Sequence, residues 1–334
     1  MISRALNAVA LHVLCNRLVL ALLAVTGIVP GAQAQVWPLR PVRVVVPFPA
    51  GGPADVLGRV MSARFTQALG QQFVVDNRSG ANGSIGATLV AKAPNDGYTI
   101  MFATTGPLAL NPLMYKNTPY DPLRDFAPVI LFGDVPMIVV ANLGAPVKTL
   151  HEAIAHARAN PGKLTFASPG FASMGHLVAE LIQRNAGVKL THVPYKGSAP
   201  AMTELLGGSV NIAFDLAAAY IQHIKAGRVR ALAISTATRF AALPDVPTIS
   251  EEGIPGYQAA GWFGIVGPAG MPPQPIAALN KLSNAWLASP EGINRLRDLG
   301  SRPLGGTPAD LSTFVRAEIT KWRPIVEPIA AAIE

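Results

Sequence analysis

One loop between a predicted strand and a predicted helix constrains the fold more than any other segment. Residues 43–48 form a β-branched apolar run typical of a buried strand, and apolar residues recur at helical spacing from Asp55 to Leu69. The loop between them carries Gly51 and Gly52, which let the backbone approach a ligand closely. The free amides that begin the next helix carry partial positive charge and could hold a carboxylate there. An ordinary turn of any α/β protein would also fit this pattern.

The same order of strand, small-residue loop and helix recurs along the chain. Further strands are predicted at residues 98–104, 164–167, 190–193, 210–214 and 229–235. This alternation predicts an α/β fold with mostly parallel sheets, in which ligands bind beyond the carboxyl ends of the strands. Helix starts are predicted at Thr149, where Glu152 completes a capping box, and at Thr307. A chain of this length without a long linker predicts two lobes joined by more than one crossing.

The first 34 residues have the pattern of a secretory signal peptide. Arg4 and Arg17 precede an apolar run at residues 18–28, and small residues up to Ala34 form a cleavage site. We therefore expect an exported, periplasmic protein that is cleaved after Ala34. The apolar run is short for a membrane span, although an uncleaved anchor is the alternative.

The charge and the cysteine usage narrow the function classes. The formal net charge of +8 becomes +6 once Arg4 and Arg17 are removed, which suits an anionic ligand. No run of Lys or Arg occurs and aromatic residues make up only 7%, which argues against nucleic-acid binding. The single cysteine, Cys15, lies in the leader. The mature chain is therefore expected to have no disulfide and no thiolate metal site.

The usual catalytic and cofactor motifs do not occur in this sequence. The glycines at residues 80–86 have the wrong spacing for a dinucleotide loop, and no phosphate-binding loop or nucleophile elbow is present. The histidines form no metal-binding pattern, and no close pair of acids suggests proton transfer. Ser173 and His176 could meet on a helix face, so a secreted serine hydrolase is a remote alternative. We expect a binding protein with no cofactor, no metal and no catalytic residue.

Many short motifs resemble one family of periplasmic proteins. They span nearly the whole mature chain and include PFPAGGPAD at 47–55, VVDNRSGANGSIGA at 74–87, DGYT at 96–99, DFAP at 125–128, NPGK at 160–163, HVPYKGSAP at 192–200, LPDVPT at 243–248 and WFG at 262–264. Together they resemble the substrate-binding proteins of tripartite tricarboxylate transporters, the Bug family of periplasmic solute-binding proteins.

The resemblance implies a type II periplasmic binding protein fold, with two α/β lobes and a ligand cleft between them. It implies lobe 1 at residues 35–137 and 259–334, and lobe 2 at residues 138–258. It also implies a small organic acid ligand, held mainly by main-chain amides and hydroxyl groups. The residues implied to bind this ligand are Phe48, Pro49, Ala50, Gly51, Gly52, Asp55, Thr104, Thr105, Asn111, Ser168, Gly170, Phe171, Ser173, Tyr195, Lys196, Gly197, Ser198 and Asp215.

Several positions depart from the family pattern in the same direction. Ala54 stands where Thr or Ser is common, Phe171 and Met174 replace small or polar residues, and Leu216 follows Asp215 where Asn is frequent. We therefore expect a carboxylate with an apolar or aromatic body, rather than citrate or a small polar amino acid. Alternatively, these side chains face the core.

Single residues and partners have alternative interpretations as well. For Asp55 we favour a role as helix N-cap over direct contact with the ligand. Lys196 could equally be a solvated surface charge or a ligand-binding residue. Trp262 is favoured as a residue that packs the lobe over one that lines the cleft. The implied partners are the subunits of a membrane transporter, with a membrane signalling kinase as the alternative. We expect a monomer.

Overall fold

The computed structural model describes residues 37–331. The signal peptide, its cleavage site after Ala34 and Cys15 lie outside the described residues. Contacts divide the chain into residues 1–39 and residues 40–334, and the fold described below belongs to the second unit. Within residues 37–331, none of the helices combines the length and the apolar character that a membrane crossing requires.

Ten strands and ten α-helices alternate along the described chain. The strands are β1 (Val42–Val46), β2 (Phe73–Asn77), β3 (Thr99–Thr104), β4 (Phe126–Ala141), β5 (Thr165–Ser168), β6 (Thr191–Pro194), β7 (Ile212–Leu216), β8 (Arg230–Ile234), β9 (Ala260–Pro268) and β10 (Arg302–Pro303). The α-helices are α1 (Pro53–Leu69), α2 (Ser84–Ala91), α3 (Asn111–Met114), α4 (Leu150–Ala159), α5 (Met174–Ala186), α6 (Ser198–Gly207), α7 (Ala217–Lys225), α8 (Pro273–Leu287), α9 (Pro290–Asp298) and α10 (Pro308–Ala331). A 3₁₀ turn at Ala81–Gly83 precedes α2, and a π-helical turn at Gly106–Leu110 precedes α3.

The strands form one mixed sheet in the order β2-β1-β3-β9-β4-β7-β5-β6, with β8 and β10 also paired to β4. The pairs β1/β2, β1/β3, β5/β6 and β5/β7 are parallel, as the alternating pattern predicted. All pairs of β4, and the pair of β3 with β9, are antiparallel. The prediction of mostly parallel sheets is therefore wrong for the centre of the sheet. Antiparallel pairing there depends on strands distant in sequence, which local periodicity does not report.

Strand β4 connects two parts of the molecule. Its first part pairs with β9, from Phe126 to Pro136, whereas its last residues, from Met137 to Ala141, pair with β7. The same 16-residue strand thus belongs to the lobe that holds β1 to β3 and to the lobe that holds β5 to β7. The boundaries predicted for the lobes stay a prediction.

Two predicted helix starts have the expected hydrogen bonds. The Oγ1 atom of Thr149 accepts from the amide of Glu152 at 3.0 Å, and that of Thr307 accepts from the amide of Asp310 at 3.2 Å. The Asp310 carboxylate in turn accepts from the Thr307 amide at 2.7 Å. Both patterns satisfy helix amides that have no partner within the helix.

Helix α10 packs against the cores of both lobes. Leu311 and Val315, near its start, lie in an apolar cluster with Met101 of β3. Trp322 and Val326, about two and three turns after Val315, lie in another cluster that holds β5 and α5 residues. At 24 residues the helix is about 36 Å long, enough to reach across two small lobes.

Candidate functional site

A cavity lies between the two lobes, where several of the predicted loops converge. It offers about 70 Å³ of space to the centres of water molecules, several times what one water needs. Its wall consists of Phe48, Pro49, Gly52, Pro53, Ala54, Asn82, Thr104, Thr105, Gly106, Met137, Pro169, Ser173, Met174, Gly175, Ser198, Asp215, Leu216, Gly261, Trp262 and Phe263. We call this space the cleft cavity. Of the described residues that line it, Asp215 is the only one with an ionisable side chain.

Four α-helices begin at the wall of the cleft cavity, namely α1, α5, α6 and α7, the last directly after Leu216. Helix α1 starts after Gly52 and α6 starts after Gly197, and neither has a side chain that caps its first amides. Helix α5 starts after Ser173, whose Oγ accepts from the His176 amide at 3.3 Å. The first amides of a helix have no partner inside the helix and carry partial positive charge. These starts therefore give the cavity a favourable potential for an anion, although no lysine or arginine stands among the described residues of its wall.

The loops from the two lobes come close enough to touch. Gly197 has a φ of +125°, and a Cβ atom there would lie 2.8 Å from Cδ of Pro49, in the loop before α1. Only glycine combines this backbone conformation with so close an approach. The two loops therefore pack directly against each other beside the cleft cavity, which Pro49 lines, and a side chain on Gly197 would hold them apart.

Asn82 makes a second bridge across the cleft. Its Nδ2 donates to the carbonyl oxygen of Ala172 at 2.9 Å and to Oδ1 of Asn111 at 2.8 Å. Asn111 is fully buried and donates to the carbonyl oxygen of Asn82 at 3.0 Å and to Oγ of Ser84 at 2.8 Å. Asn82 has a φ of +48° and Ala172 a φ of +60°, so both ends of the bridge have left-handed backbone conformations. Asparagine tolerates that conformation better than most residues.

Two polar atoms in the wall of the cavity lack a partner. Neither Oδ2 of Asp215 nor Oγ1 of Thr104 has a hydrogen-bond partner among residues 37–331, although both are buried. The other carboxylate oxygen of Asp215, Oδ1, accepts from Oγ of Ser198 at 2.9 Å and from the Leu216 amide at 2.7 Å. Burial raises the pKa of Asp215 to about 7, because these two hydrogen bonds only partly offset the lost hydration. Buried polar atoms are usually paired, so the two atoms are candidates for ligand contact.

Asp55 has a structural role beside the first loop. It lies in the first turn of α1, where the N-cap is Gly52, so the interpretation of Asp55 as the N-cap is wrong. Its carboxylate accepts from the Gly51 amide at 2.9 Å, from Nε of Arg59 at 3.0 Å and from Nδ2 of Asn77 at 3.0 Å. Burial works to raise the pKa of Asp55, but these hydrogen bonds outweigh it and lower that pKa. Asp55 therefore fixes the glycine loop and stays ionised.

A row of stacked rings supports the loop between β5 and α5. Phe166 stacks on His192 with ring centres 4.6 Å apart, and His192 stacks on His176 at 4.3 Å. Nδ1 of His176 accepts from the Ala172 amide at 3.3 Å, and Nε2 of His192 lies 2.6 Å from Oγ of Ser168. Burial lowers the pKa of His176 to about 4 and that of His192 to about 3, so both rings are neutral at pH 7.

The ring of His176 does not face Ser173. The ring nitrogen Nδ1 is bonded to the Ala172 amide, and Nε2 lies 3.7 Å from the Glu180 carboxylate, while Ser173 meets only the main-chain amide of His176. A serine nucleophile needs a base within hydrogen-bond reach of its hydroxyl. The arrangement therefore gives no support to the hydrolase alternative.

The structure brings most of the predicted ligand-binding residues together. Eight of them line the cleft cavity, namely Phe48, Pro49, Gly52, Thr104, Thr105, Ser173, Ser198 and Asp215. Four others line a neighbouring hollow of about 200 Å³, which also touches Phe48, namely Gly170, Phe171, Tyr195 and Lys196. The remaining six lie outside both walls, namely Ala50, Gly51, Asp55, Asn111, Ser168 and Gly197. Ligand binding by any of these residues stays a prediction.

Several residues in the wall were not among the predicted ones. Met137 lies on β4 where that strand pairs with β7, and Phe263 lies on β9; the sequence indicated neither of these central strands. Asn82 could have been found, because an asparagine between glycines is a signal for a left-handed turn. Trp262 both packs and lines the cavity, since its side chain is 2% exposed and donates to Glu318 at 3.2 Å.

Comparison with known proteins agrees with this architecture. Residues 57–331 match the family model described as the tripartite tricarboxylate transporter family receptor. This match spans well over half of the chain. The chain belongs to this receptor family. The family consists of periplasmic solute-binding receptors rather than enzymes.

Individual relatives are similar over nearly their full length. Protein BugT of Bordetella pertussis is 37% identical over 313 residues, which cover 93% of this chain and 96% of BugT. The solved structure of Rpa4515 from R. palustris with adipate is 42% identical, with a TM-score of 0.85, over 87% of this chain and 97% of that chain. The structure of MatC from Rhodopseudomonas palustris with bound malate is 33% identical, with a TM-score of 0.82, over 87% of this chain and 100% of that chain. These similarities confirm the type II periplasmic binding protein fold predicted for this receptor.

Proposed function

We propose that this receptor captures a small organic carboxylate with an apolar body and delivers it to a tripartite tricarboxylate-type membrane transporter. The observation that carries the proposal is the convergence of four helix starts on a cavity whose wall, among residues 37–331, contains no lysine, arginine or histidine. Such a cavity can bind an anion through main-chain amides. Two similar proteins have solved structures with adipate and with malate, both of which are carboxylates.

The apolar part of the ligand would contact the hydrophobic part of the wall. Three of the positions that depart from the family pattern, Ala54, Met174 and Leu216, lie in this wall, beside Met137 and Phe263. Burying apolar ligand surface there stabilises a complex by about 25 cal/mol per Å². Citrate would instead place three charged groups against these side chains. We therefore propose a preference for carboxylates with an aliphatic or aromatic body.

The partner and the location follow from the family rather than from the geometry of the cavity. The proposal includes transporter subunits as partners, a periplasmic location after cleavage at Ala34 and a monomeric state. It also includes lobe boundaries at residues 137/138 and 258/259. Closure of the two lobes would exclude water and strengthen each hydrogen bond to the carboxylate. No turnover is proposed, because the side chains around Ser173 lack a catalytic arrangement.

A thermal-shift screen followed by calorimetry tests the proposal. The panel contains benzoate, adipate, malate and citrate, and a ligand present at a hundred times its Kd raises stability by about 2.7 kcal/mol. We expect benzoate or adipate to stabilise the protein more than citrate does. A preference for citrate would contradict the proposal that the ligand has an apolar body. The absence of a thermal shift with every carboxylate would contradict the proposed carboxylate-binding function.

A matched pair of cap variants separates binding from stability. Ser173 and Thr149 both cap a helix by accepting a main-chain amide, but only Ser173 lines the cleft cavity. Ser173→Ala is expected to weaken binding of the best carboxylate about tenfold, whereas Thr149→Ala should only lower the unfolding free energy, by about 1 kcal/mol. Equal affinities of the two variants for the carboxylate would show that Ser173 does not bind the ligand.

A further inference from the structure

We propose that Asp215 binds the ligand as a neutral carboxylic acid, donating its Oδ2–H to a carboxylate oxygen, so that capture of the ligand takes up a proton. This inference rests on the proposed function and adds to it the specificity-determining residue of the site. It predicts a binding step that depends on pH although no histidine takes part.

The first argument is geometric. Asp215 is fully buried, and Oδ1 already accepts both hydrogen bonds that the protein supplies, from Ser198 and from the Leu216 amide. Oδ2 has no partner among the described residues, although Asp215 lines the cleft cavity. The proton of the neutral acid therefore belongs on Oδ2, the oxygen that has no partner among the described residues, in a residue that lines the cleft cavity.

The second argument is the charge balance of the cavity. No cationic side chain stands among the described residues of the wall, so an ionised Asp215 would face an anionic ligand without compensation. Two carboxylates in one dry site share a proton, because both cannot be ionised at low cost. A ligand ammonium group would also neutralise Asp215, but it carries three donors. Met137 and Leu216 offer it no side-chain acceptor, and among the buried polar atoms of the described wall only Oγ1 of Thr104 is unpartnered besides Oδ2 of Asp215, so its three donors would not all be satisfied by unpartnered atoms.

The groups around β7 do not provide another explanation for a pH effect. The titratable side chains on the elements packed against β7 are Asp134 on β4, His176, Glu180 and Arg184 on α5, Glu204 on α6, and Tyr220, His223 and Lys225 on α7. Tyr220 is fully buried, and burial followed by the charge of Asp215 raises its pKa, so it stays neutral. His176 is already neutral above pH 6, and Lys196, beside the neighbouring hollow, is exposed. Since burial raises the pKa of Asp215 to about 7, its own titration falls in the accessible range.

Calorimetry of adipate and benzoate at pH 6.5 and pH 8.5 tests the inference. Both probes are fully ionised across this range, so a change in affinity reports on the protein. We expect binding to be about tenfold weaker at pH 8.5, because ionised Asp215 must first be protonated. Repeating the pH 8.5 titration in buffers with different ionisation enthalpies should show the uptake of close to one proton.

Two variants decide whether Asp215 is responsible. In Asp215→Asn, the side-chain oxygen can still accept from Ser198 and Leu216, while the amide donates in place of the acid. Its affinity should be the same at both pH values, should exceed that of the wild type at pH 8.5, and should involve no proton uptake. The control Asp245→Asn changes an exposed aspartate far along the chain and should behave as the wild type.

The outcomes separate this inference from the proposed function. Binding of the probes by the wild type with no pH dependence, or loss of binding in Asp215→Asn, would overturn the inference and leave carboxylate capture intact. Failure of the wild type and of Asp215→Asn to bind either probe at both pH values would overturn the proposed function, and the inference with it.

Discussion

The carboxyl group of Asp215 shows how burial changes the chemistry of one residue. In the sequence it is an aspartate after a predicted strand, and its ordinary form is the anion. In the folded protein it has no exposed surface and accepts from two hydrogen-bond donors, and no cationic side chain stands among the described residues of the cavity wall. Burial raises its pKa to about 7. Asp55 has the opposite outcome, because Arg59, Gly51 and Asn77 hold its charged form. Asp215 lines the cleft cavity and Asp55 holds the glycine loop beside it, and the two acids differ in protonation behaviour.

Asp215 should make the stability of the ligand-free protein depend on pH. Its folded-state pKa lies above the unfolded value, so its contribution is present at low pH and is lost as the pH rises through about 7. The unfolding free energy of Asp215→Asn, compared with the wild type, should therefore rise between pH 5 and pH 8. Urea denaturation at several pH values measures this difference. A difference that stays constant with pH would show that Asp215 is ionised in the folded protein.

The loops and helix starts carry the binding geometry, and the rigid strands only place them. Helices α1, α5 and α6 begin at the cleft cavity because each follows directly on a strand or its connecting loop. The glycine loop before α1 and the loop before α6 approach each other from different lobes, with Gly197 close to Pro49. A change at this contact should affect closure more than folding.

Gly197→Ala should weaken ligand binding because its methyl group would clash with Pro49 when the loops close. We expect about a tenfold loss of affinity, measured by calorimetry with the best ligand of the carboxylate panel. Gly187→Ala provides the control, because Gly187 also has a positive φ but has no atom within 4 Å of the added Cβ. That control should lose stability by about 1 kcal/mol without losing affinity. Unchanged binding in Gly197→Ala would mean that the two loops do not need to meet.

The connections between the two lobes govern how the molecule opens and closes. Strand β4 pairs with strands of both lobes, helix α10 packs against both cores, and Asn82 bridges the cleft to Ala172. The first two connections persist in any open state that keeps the sheet and the core. The Asn82 bridge is a single hydrogen bond, worth about 1 kcal/mol, and can break when the cleft opens.

Asn82→Gly should shift the ligand-free protein toward a more open state. Glycine keeps the left-handed backbone conformation of Asn82 but removes the Nδ2 donor to Ala172. Small-angle X-ray scattering should then give a larger radius of gyration without ligand, and the wild-type value with saturating ligand. An identical radius without ligand would show that this bridge does not restrain the cleft.

Trp322→Ala should destabilise the whole fold, because Trp322 fixes the second half of α10 to a core shared with β5 and α5. It is 1% exposed, and Nε1 donates to Glu318 at 3.0 Å. We expect a loss of about 3–5 kcal/mol in urea denaturation. Trp322→Phe keeps a ring in the core and should lose less than half as much. A loss below about 1 kcal/mol in the alanine variant would show that the end of α10 is dispensable.

Local sequence patterns were enough to find the elements and several of the site loops. The strands β1, β3, β5, β6, β7 and β8, and the helix caps at Thr149 and Thr307, follow from periodicity and capping, which act over a few residues. Eight of the eighteen predicted ligand-binding residues line the cleft cavity because loops after neighbouring strands end on one side of a sheet. The motif-based family resemblance supplied the two-lobed fold.

Contacts between distant segments decided the remaining features. The antiparallel pairing of β4 with β7 and β9 brings Met137 and Phe263 into the wall, and the bridge from Asn82 to Ala172 joins residues ninety positions apart. Hydrogen bonds from distant residues determined that Asp55 fixes a loop, and burial determined that Asp215 has a raised pKa. Pairing partners, solvent exposure and pKa depend on which atoms surround a residue in space, and a local pattern in the chain does not contain that information.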